Sequence, residues 1–324
     1  MRQRSKISVS GAVPRITDIV DRLGTGDRVA VIRLRSLGDC VLSTPAIHLL
    51  KLYRPDLEIA VVVEDRFAPV FENSENSENS PDIAQILPPA IKALRGFRPT
   101  LTVNLHGGPR SARLTLLSGA RFRAGFDIFR PGWIYNTPIP TAQETLGVSR
   151  RVHTAEHAAS AMFYLGVPIS EVPRALIHAA PGRSVHAPAG AYAVLHPVAA
   201  TAEKTWPAAS FREIATWLRQ SLGFEPVIIG GPGEDLSAFA DFRTVAGAPL
   251  AEVARLMRDA RLFVGNDSGP AHIAAAFGVP EVVIFGPSDS ETWAPWKTDA
   301  GVLKAPGPIA SIGVDEVMRA IEAR

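Results

Sequence analysis

With 324 residues, of which 46% are hydrophobic and 20% charged, the chain is long enough for two domains of ordinary size. No stretch approaches the roughly 18 consecutive apolar residues of a membrane span, and the basic start lacks the apolar segment of a signal peptide, so we expect a cytoplasmic protein. The single cysteine, Cys40, excludes an internal disulfide, and we interpret it as a core residue in a reducing compartment.

The net charge of +2 is unevenly distributed along the chain. Residues 1–178 carry 22 Lys and Arg against 16 Asp and Glu, which gives +6, whereas residues 179–324 carry 12 against 16, which gives −4. An anionic partner or a membrane surface would suit the basic half, although scattered solvated arginines produce the same count. Nucleic acid is not an expected partner, because no dense basic run is interleaved with aromatic residues.

Hydrophobic periodicity predicts alternating strands and helices in the first half. The predicted elements are a helix over 13–23, a strand over 28–34, a helix reaching Tyr53, strands over 57–63 and 100–105, a helix over 110–118, a strand over 121–126 and a helix over 153–166. Pro45 is expected to break the helix that reaches Tyr53, with Thr44 capping its second part. The repeat ENSENSENS at 72–80 has no apolar residue to bury, and we expect a solvated loop there.

Residues 179–190 are rich in Ala, Gly and Pro and lack periodicity, so we place an interdomain linker there. It separates an N-terminal domain over 1–178 from a C-terminal domain over 191–324. The predicted elements of the second domain are a strand over 192–196, a helix over 207–222, a strand over 225–229, a helix over 249–260, a strand and helix over 261–277, a strand over 281–285 and a last helix over 314–323, which can pack back on the N-terminal domain.

Strands and helices alternate in both halves, which predicts an α/β fold with two doubly wound parallel sheets that face a cleft. In such folds ligands bind beyond the carboxyl ends of the strands. The candidate site residues should therefore be sought in the turns that follow strands.

The turn at 265–272 has the features of an anion site. An apolar strand stops at Gly265, and Pro270 suits the first turn of a helix. Free N–H groups at a helix start bind phosphate and carboxylate. The polar candidates at this point are Asp267, Ser268, Gly269 and His272. The plainer interpretation is that Asp267 or Ser268 only caps the helix.

Two further turns of the second half complete a candidate nucleotide site. Lys204 supplies a flexible positive charge for a phosphate, and Glu234 follows a glycine-rich turn from which its carboxylate can accept from ribose hydroxyls. Together these residues imply a nucleoside diphosphate group. Neither G-x-G-x-x-G nor G-x-x-x-x-G-K-[ST] follows a strand, which argues against a dehydrogenase or a P-loop kinase.

Three groups in the first half have both a functional and a structural interpretation. Asp39 ends the polar turn after the first strand, where it can serve chemistry or cap a helix. Arg110 and Arg113 lie one helical turn apart and can grip an anionic group together or form a solvated face. His153 and His157 have the spacing of metal ligands, but no third ligand accompanies them, so no metal site is expected.

Four segments together resemble the signature blocks of glycosyltransferase family 9, the ADP-heptose:lipopolysaccharide heptosyltransferases. They are LRSLGDCVLSTPAIHLLKLYRPDLEI, LHPVAATAEKTWPAASFREIATWL, IIGGPGED and NDSGPAHIAAAFGVPEVVIFGPSDSETWAPW. The resemblance extends from about residue 28 to the C-terminus. It implies a GT-B fold with two Rossmann-like domains, the acceptor on the first domain and ADP-heptose on the second. The implied reaction is inverting transfer of heptose to an inner-core sugar of lipopolysaccharide, without a cofactor or an obligatory metal.

Carried over by position, the resemblance assigns roles to individual residues. Asp39 matches the family's catalytic base, Lys204 the lysine that holds the donor phosphates, and Glu234 the ribose-binding acid. The loop that cradles the diphosphate and nucleoside is matched by Asp267, Ser268, Gly269 and His272. Arg35 stands where family members often carry a small residue or serine. The candidate residues for binding the anionic acceptor are Arg35, Arg110 and Arg113. The repeat at 72–80 is not a family feature.

The resemblance also implies an acceptor at the inner face of the cytoplasmic membrane, with the protein cytoplasmic or peripheral there. Two other functions remain open on the sequence. One is a GT-B nucleotide-sugar epimerase that needs no acceptor. The other is a non-catalytic relative that binds a nucleotide sugar or an acidic glycolipid.

Overall fold

The structure, a computed structural model, describes residues 16–73 and 78–324. Its first half contains a six-stranded sheet with the order β5-β2-β1-β6-β7-β8 and a small antiparallel ribbon, β3-β4. The strands are β1 (Arg28–Ile32), β2 (Glu58–Val62), β3 (Glu72–Asn73), β4 (Glu78–Asn79), β5 (Gln85–Leu87), β6 (Leu101–Asn104), β7 (Phe122–Phe126) and β8 (Thr137–Ile139).

The second half contains another six-stranded sheet, with the order β11-β10-β9-β12-β13-β14. Its strands are β9 (Tyr192–His196), β10 (Glu225–Gly230), β11 (Arg243–Ala246), β12 (Leu262–Asn266), β13 (Glu281–Phe285) and β14 (Ala300–Lys304). All neighbouring pairs in both large sheets are parallel. Numbered within its own sheet, each half has the order 3-2-1-4-5-6, so the chain reverses its direction of winding between β1 and β6 and again between β9 and β12.

Helices surround both sheets, as the alternation of elements predicts. The helices are α1 (Leu37–Tyr53), α2 (Ile91–Phe97), α3 (Pro109–Leu117), α4 (Ala142–Leu146), α5 (Thr154–Tyr164), α6 (Ala208–Ser221), α7 (Leu250–Arg258), α8 (Gly269–Phe277), α9 (Ser290–Trp293) and α10 (Val314–Glu322). One cluster of buried apolar side chains runs from the first sheet through α1, α5 and α8 to the second sheet. The two halves therefore share apolar core. The predicted α/β architecture with two doubly wound sheets is confirmed.

The predicted break in the first long helix is wrong, because α1 continues through Pro45. Proline provides no N–H for the carbonyl four residues earlier, which here belongs to Val41. The Thr44 hydroxyl donates to that carbonyl at 2.8 Å and accepts the backbone N–H of Leu176 at 2.8 Å. Thr44 therefore repairs the helix from within instead of starting a new one.

Three other expectations change. The predicted helix over 13–23 is reduced, within the described residues, to consecutive turns at 19–22, and residues 13–15 lie outside the described part. The repeat at 72–80 was expected to be a loop, but its described ends pair as β3 and β4, while 74–77 lie outside the described residues. Helix α10 does not pack back on the first half: it lies against α6, β13 and β14.

The structure also contains elements that the sequence pattern does not indicate. They are β5, β8, β11, β14, α2, α4 and α9. None of the helices in the described part of the chain has the length and apolar character that a bilayer span requires.

Glu281 is a buried carboxyl group whose two oxygens have no hydrogen-bond partner among the described residues. Burial raises its pKa well above the ordinary value of 4.5. In the unfolded chain the group ionises near pH 4.5, whereas in the folded protein it stays protonated. Its contribution to stability is therefore fully present below about pH 4.5 and is lost as the pH rises toward the folded-state pKa.

We therefore expect Glu281→Gln to raise the melting temperature at neutral pH and to have little effect at pH values below about 4.5. Thermal unfolding followed by circular dichroism over this pH range measures the difference. The control is Glu322→Gln, which changes an exposed carboxyl at the end of α10. A pH-independent effect of Glu281→Gln would contradict the assigned cause.

Candidate functional site

A cleft with a volume of about 710 Å3 lies between the carboxyl ends of the two sheets. Both points at which the winding reverses open onto it, because the turns after β1, β9 and β12 all contribute lining residues. The polar lining residues are Ser36, Asp39, Arg66, His196, Lys204, Glu234, Asp267, Ser268 and His272. Residues of both halves therefore face one common space.

On the wall from the first half, Asp39 lies in the first turn of α1 with its side chain about one fifth exposed. One carboxylate oxygen accepts from Ser36, from the hydroxyl at 3.0 Å and from the N–H at 3.3 Å, so Asp39 completes a capping box with Ser36 as N-cap. The other oxygen accepts from Nη1 of Arg33 at 3.2 Å. Asp39 therefore stabilises the helix start from the third helical position and is not the N-cap itself, and the same carboxylate faces the cleft.

Sequence reasoning did not single out Arg33, which is buried at the end of the first strand. Burial lowers the pKa of its guanidinium, and the neighbouring carboxylate of Asp39 opposes that shift. Its Nε has no partner among the described residues. The available signal was a charged residue in an otherwise apolar strand, since a buried arginine needs a carboxylate beside it. Arg33 thus holds Asp39 in place from beneath the cleft.

On the opposite wall, Lys204 and Asp267 form an ion pair with 3.1 Å between Nζ and Oδ2. The Lys204 side chain is about one third exposed, whereas that of Asp267 is only 8% exposed. The ammonium group is therefore accessible from the cleft, and the carboxylate behind it fixes its position. This arrangement presents a cation with remaining hydrogen-bond donors to an anionic ligand.

His196, at the end of β9, connects two of the predicted residues and was missed. Its Nδ1 lies 2.9 Å from the Ser268 hydroxyl and its Nε2 lies 3.6 Å from the Glu234 carboxylate. Glu234 also accepts the N–H of Gly231 at 2.6 Å. The histidine and this N–H lower the pKa of Glu234, so the carboxylate is ionised and can accept hydrogen bonds from a ligand. The available signal was a polar residue ending the strand that precedes the Lys204 turn.

Helix α8 begins directly at the cleft. Ser268 is its N-cap residue by backbone conformation, but its side chain caps no N–H of the helix and turns toward His196 instead. The plainer interpretation is therefore correct in naming Ser268 as the N-cap residue, but its hydroxyl contacts His196 and does not form a side-chain cap. At this end of the helix Pro270 has no N–H and the Ala271 N–H donates to the Ser268 carbonyl at 3.2 Å, so α8 offers an anion in the cleft the Gly269 N–H and the positive end of the helix dipole.

The two walls touch at the starts of α1 and α8, where small residues permit a close approach. A Cβ atom on Gly38 would lie 2.5 Å from Cδ2 of His272, and one on Gly269 would lie 2.8 Å from the Leu37 side chain. His272 is 4% exposed, and burial lowers its pKa to about 4. The ring is therefore neutral at physiological pH. It packs between the two walls and carries no positive charge that could attract a phosphate.

The predicted acceptor arginines do not line the cleft. Arg110 pairs with Glu64 at 3.1 Å, Arg113 is exposed on α3, and Arg35 is exposed directly beside the lining residue Ser36. Arg66, from the short helical turn Asp65–Val70, lines the cleft instead together with its neighbour Phe67, over whose ring it lies. The segment has no periodicity that could have indicated this.

His153 and His157 have structural partners. The Nδ1 of His153 accepts the N–H of Ala155, so the proton lies on Nε2, which donates to the Ala294 carbonyl at 2.8 Å across the two halves. His157 stacks on Phe126, and burial lowers its pKa to about 4. In the part of the chain that the structure describes, no group of three His, Cys, Asp or Glu residues is arranged to hold a metal ion.

A segment after β13 fixes the two halves relative to each other. Besides the contact from His153, Arg151 pairs with Asp289 at 2.6 Å, and the indole N–H of Trp296 donates to the Pro173 carbonyl at 2.8 Å. Trp293 of the same segment lines the cleft. The width of the cleft is thus set by specific polar contacts as well as by shared core.

Comparison with known proteins agrees with this architecture. Residues 90–310 match the family model described as glycosyltransferase family 9 (heptosyltransferase). The chain is 28% identical over 304 residues to lipopolysaccharide heptosyltransferase 3 of Escherichia coli. The alignment covers 82% of this chain and 85% of that relative.

Two solved structures share the fold. A glycosyltransferase family 9 protein from Veillonella parvula superposes with a TM-score of 0.78 at 22% identity, covering 92% of this chain and 96% of that protein. The E. coli heptosyltransferase WaaC with ADP gives 0.72 at 20% identity, covering 91% and 99%. The predicted GT-B fold is therefore confirmed, and the chain belongs to glycosyltransferase family 9, the heptosyltransferase family.

Proposed function

We propose that this protein transfers heptose from ADP-heptose to a sugar hydroxyl of the lipopolysaccharide inner core, with inversion at the anomeric carbon. The observation that carries the proposal is the placement of Asp39 on one wall of a cleft whose other wall presents Lys204 and the start of α8. A base and an anion site that face each other are what displacement of a nucleoside diphosphate requires. The names of the relatives, a lipopolysaccharide heptosyltransferase and a heptosyltransferase with ADP, support this substrate class.

In the proposed donor complex, the diphosphate lies between Lys204 and the start of α8, where the Gly269 N–H and the positive end of the helix dipole face it. The Lys204 ammonium, now paired with Asp267, gains the phosphate as a second partner. Glu234, which His196 and Gly231 keep ionised, accepts from the ribose hydroxyls. These groups are fixed before the reaction, so they stabilise the charge that develops on the departing diphosphate without rearranging. The positive charge comes from this chain, and the proposed step uses no metal.

In the proposed chemical step, the acceptor oxygen forms a bond to the anomeric carbon while the bond from that carbon to the ADP oxygen breaks. The acceptor proton moves to the Asp39 carboxylate, and ADP leaves from the opposite face of the sugar. Arg33 and Ser36 hold the carboxylate in the cleft. Positioned general-base catalysis of this kind contributes about 10²–10⁴-fold. Arg66, exposed on the same side, is the cation of this wall that an anionic acceptor would meet.

We infer that the protein works in the cytoplasm, on an acceptor at the inner face of the cytoplasmic membrane. The test incubates the protein with ADP-heptose, with and without a heptose-deficient lipopolysaccharide core, and measures ADP release and product mass. The proposal expects ADP release that depends on the acceptor and on the ADP form of the donor. Release without acceptor would favour an epimerase, and tight ADP binding without release would favour a non-catalytic binding protein.

A further inference from the structure

A loop after β7 exposes two large apolar side chains. Trp133 is 72% exposed and Ile128 is 59% exposed, although both lie within one ten-residue segment, 127–136. Large exposed apolar groups close together in sequence commonly mark an interaction surface. We call this surface, together with the exposed arginines described below, the β7 loop surface.

The exposure of Trp133 is built into the fold, because the rest of the loop is firmly packed. Ile134 and Tyr135 are buried against Ala112 of α3, and Phe129 packs on the same cluster. The loop also sits closely on the turn after β6, since a Cβ atom on Gly107 would lie 2.7 Å from the Phe129 ring. The loop thus buries its neighbouring aromatic residues and leaves the indole in solvent.

The surroundings of the loop are strongly basic. Residues 101–140 contain five arginines and one acidic residue, Asp127. Arg113, on the helix that supports the loop, is exposed and has no acidic partner within 16–73 and 78–324. Arg130 donates only to the backbone carbonyls of Asp127 and Phe129, so its charge is not neutralised by a carboxylate. Arg110 is paired with Glu64 from outside this segment, so the excess of +4 in the sequence becomes +3 in the structure.

The position of the loop relates it to the cleft. The loop leaves the carboxyl end of β7, the end at which the cleft opens, and runs back to the amino end of the same strand, where Asn136 contacts Arg121 and Arg123. Tryptophan is favoured at the boundary of a bilayer because its ring is apolar and its N–H is polar. Arginines near such a residue are attracted to anionic headgroups. No other part of the described chain combines two neighbouring exposed apolar residues with such a charge.

We propose that the β7 loop surface docks on an anionic lipid bilayer, with Trp133 and Ile128 entering the headgroup region and Arg113 and Arg130 contacting lipid phosphates. The inference deepens the proposed function, on which it rests for the location of the acceptor, by naming the surface that brings the cleft to the membrane. Membrane docking can be measured separately from catalysis, because the docking surface contains no residue that lines the cleft.

The test measures co-flotation of the full chain with vesicles of phosphatidylglycerol and phosphatidylcholine, against vesicles of phosphatidylcholine alone. The wild type is expected to bind the anionic vesicles more tightly and to lose this preference at high salt. We expect Trp133→Ser to lower the partition constant roughly tenfold and Arg113→Gln to lower it about fivefold. Both side chains are exposed, and unchanged melting temperatures would show that the fold is intact.

Matched controls are available on other surfaces. Ile169 is a large apolar side chain that is 49% exposed, so Ile169→Ser is the control for Trp133→Ser, and Arg319→Gln on α10 is the control for Arg113→Gln. Two results with vesicles would overturn the proposal: unchanged binding of Trp133→Ser, or equal binding of the wild type to anionic and neutral vesicles. A wild type that binds no vesicles but forms a dimer through Trp133 would overturn it as well. Transfer to a soluble, lipid-free core should be unaffected by Trp133→Ser. The two proposals can fail separately. If the protein binds vesicles through Trp133 but has no transferase activity, membrane docking is supported and the proposed function is refuted.

Discussion

Asp39→Asn is expected to lower kcat for heptose transfer by about 10²–10⁴-fold while leaving the affinity for ADP nearly unchanged. The amide cannot take the acceptor proton, but its oxygen can still accept from Arg33 or Ser36. The residues proposed to bind the diphosphate lie on the other wall and are unchanged in this variant. Initial rates with saturating ADP-heptose and ADP titration by calorimetry measure the two quantities separately.

The control for this variant addresses the capping role of Asp39. Glu144 occupies the same position in the capping box of α4 and does not line the cleft, so Glu144→Gln removes an equivalent interaction without touching the site. We expect Glu144→Gln to lose about 1 kcal/mol of stability or less and to keep full activity. Asp39→Asn is expected to lose activity and to be destabilised more, by roughly 1–3 kcal/mol, because the buried Arg33 guanidinium keeps a hydrogen-bond acceptor but loses its charged partner. Full activity of Asp39→Asn would exclude Asp39 as the base.

Lys204→Met is expected to reduce kcat/KM for ADP-heptose by about 10²–10³-fold, because one preorganised donor to a developing anion contributes roughly 3–4 kcal/mol. The substitution also leaves the nearly buried carboxylate of Asp267 without its cation, which repels the diphosphate. ADP affinity should therefore fall together with the rate, in contrast to Asp39→Asn. Steady-state kinetics and ADP titration measure this difference.

Lys92→Met provides the comparison, since Lys92 is exposed on α2, away from the cleft. The double variant Lys204→Met with Asp267→Asn should recover part of the lost ADP affinity, because it removes the repulsive carboxylate. Unchanged ADP affinity in Lys204→Met would show that the lysine does not contact the donor.

The architecture was predictable because a parallel sheet places the turns that follow its strands at one end, the carboxyl end. The strands before Asp39, Lys204 and Asp267 are recognised by their apolar runs. These three residues are therefore expected at the carboxyl ends of the two sheets, which face each other across the cleft. The four unpredicted strands, β5, β8, β11 and β14, are the edge strands of the two sheets. An edge strand pairs on one side only, and β5, β8 and β11 have just three or four residues, so their sequences carry less apolar pattern.

The contacts of His196 escaped prediction because they join distant segments: its contact with Ser268 and Glu234 arises only when loops from separate strands meet. The pair of Arg33 and Asp39 is local, since the two residues are six positions apart. Arg66 and Arg110 both pair with Glu64, but of these two only Arg66 lines the cleft. Arg66 lies in a turn without periodicity, so no local pattern could place it there.

The most direct test of the account is a crystal structure of the protein with ADP. We predict that the diphosphate lies within about 4 Å of the Lys204 ammonium, against the start of α8, with the ribose beside Glu234 and the Asp39 carboxylate facing the space where the sugar would attach. ADP bound outside the cleft, or bound so that its terminal phosphate points away from Asp39, would contradict it.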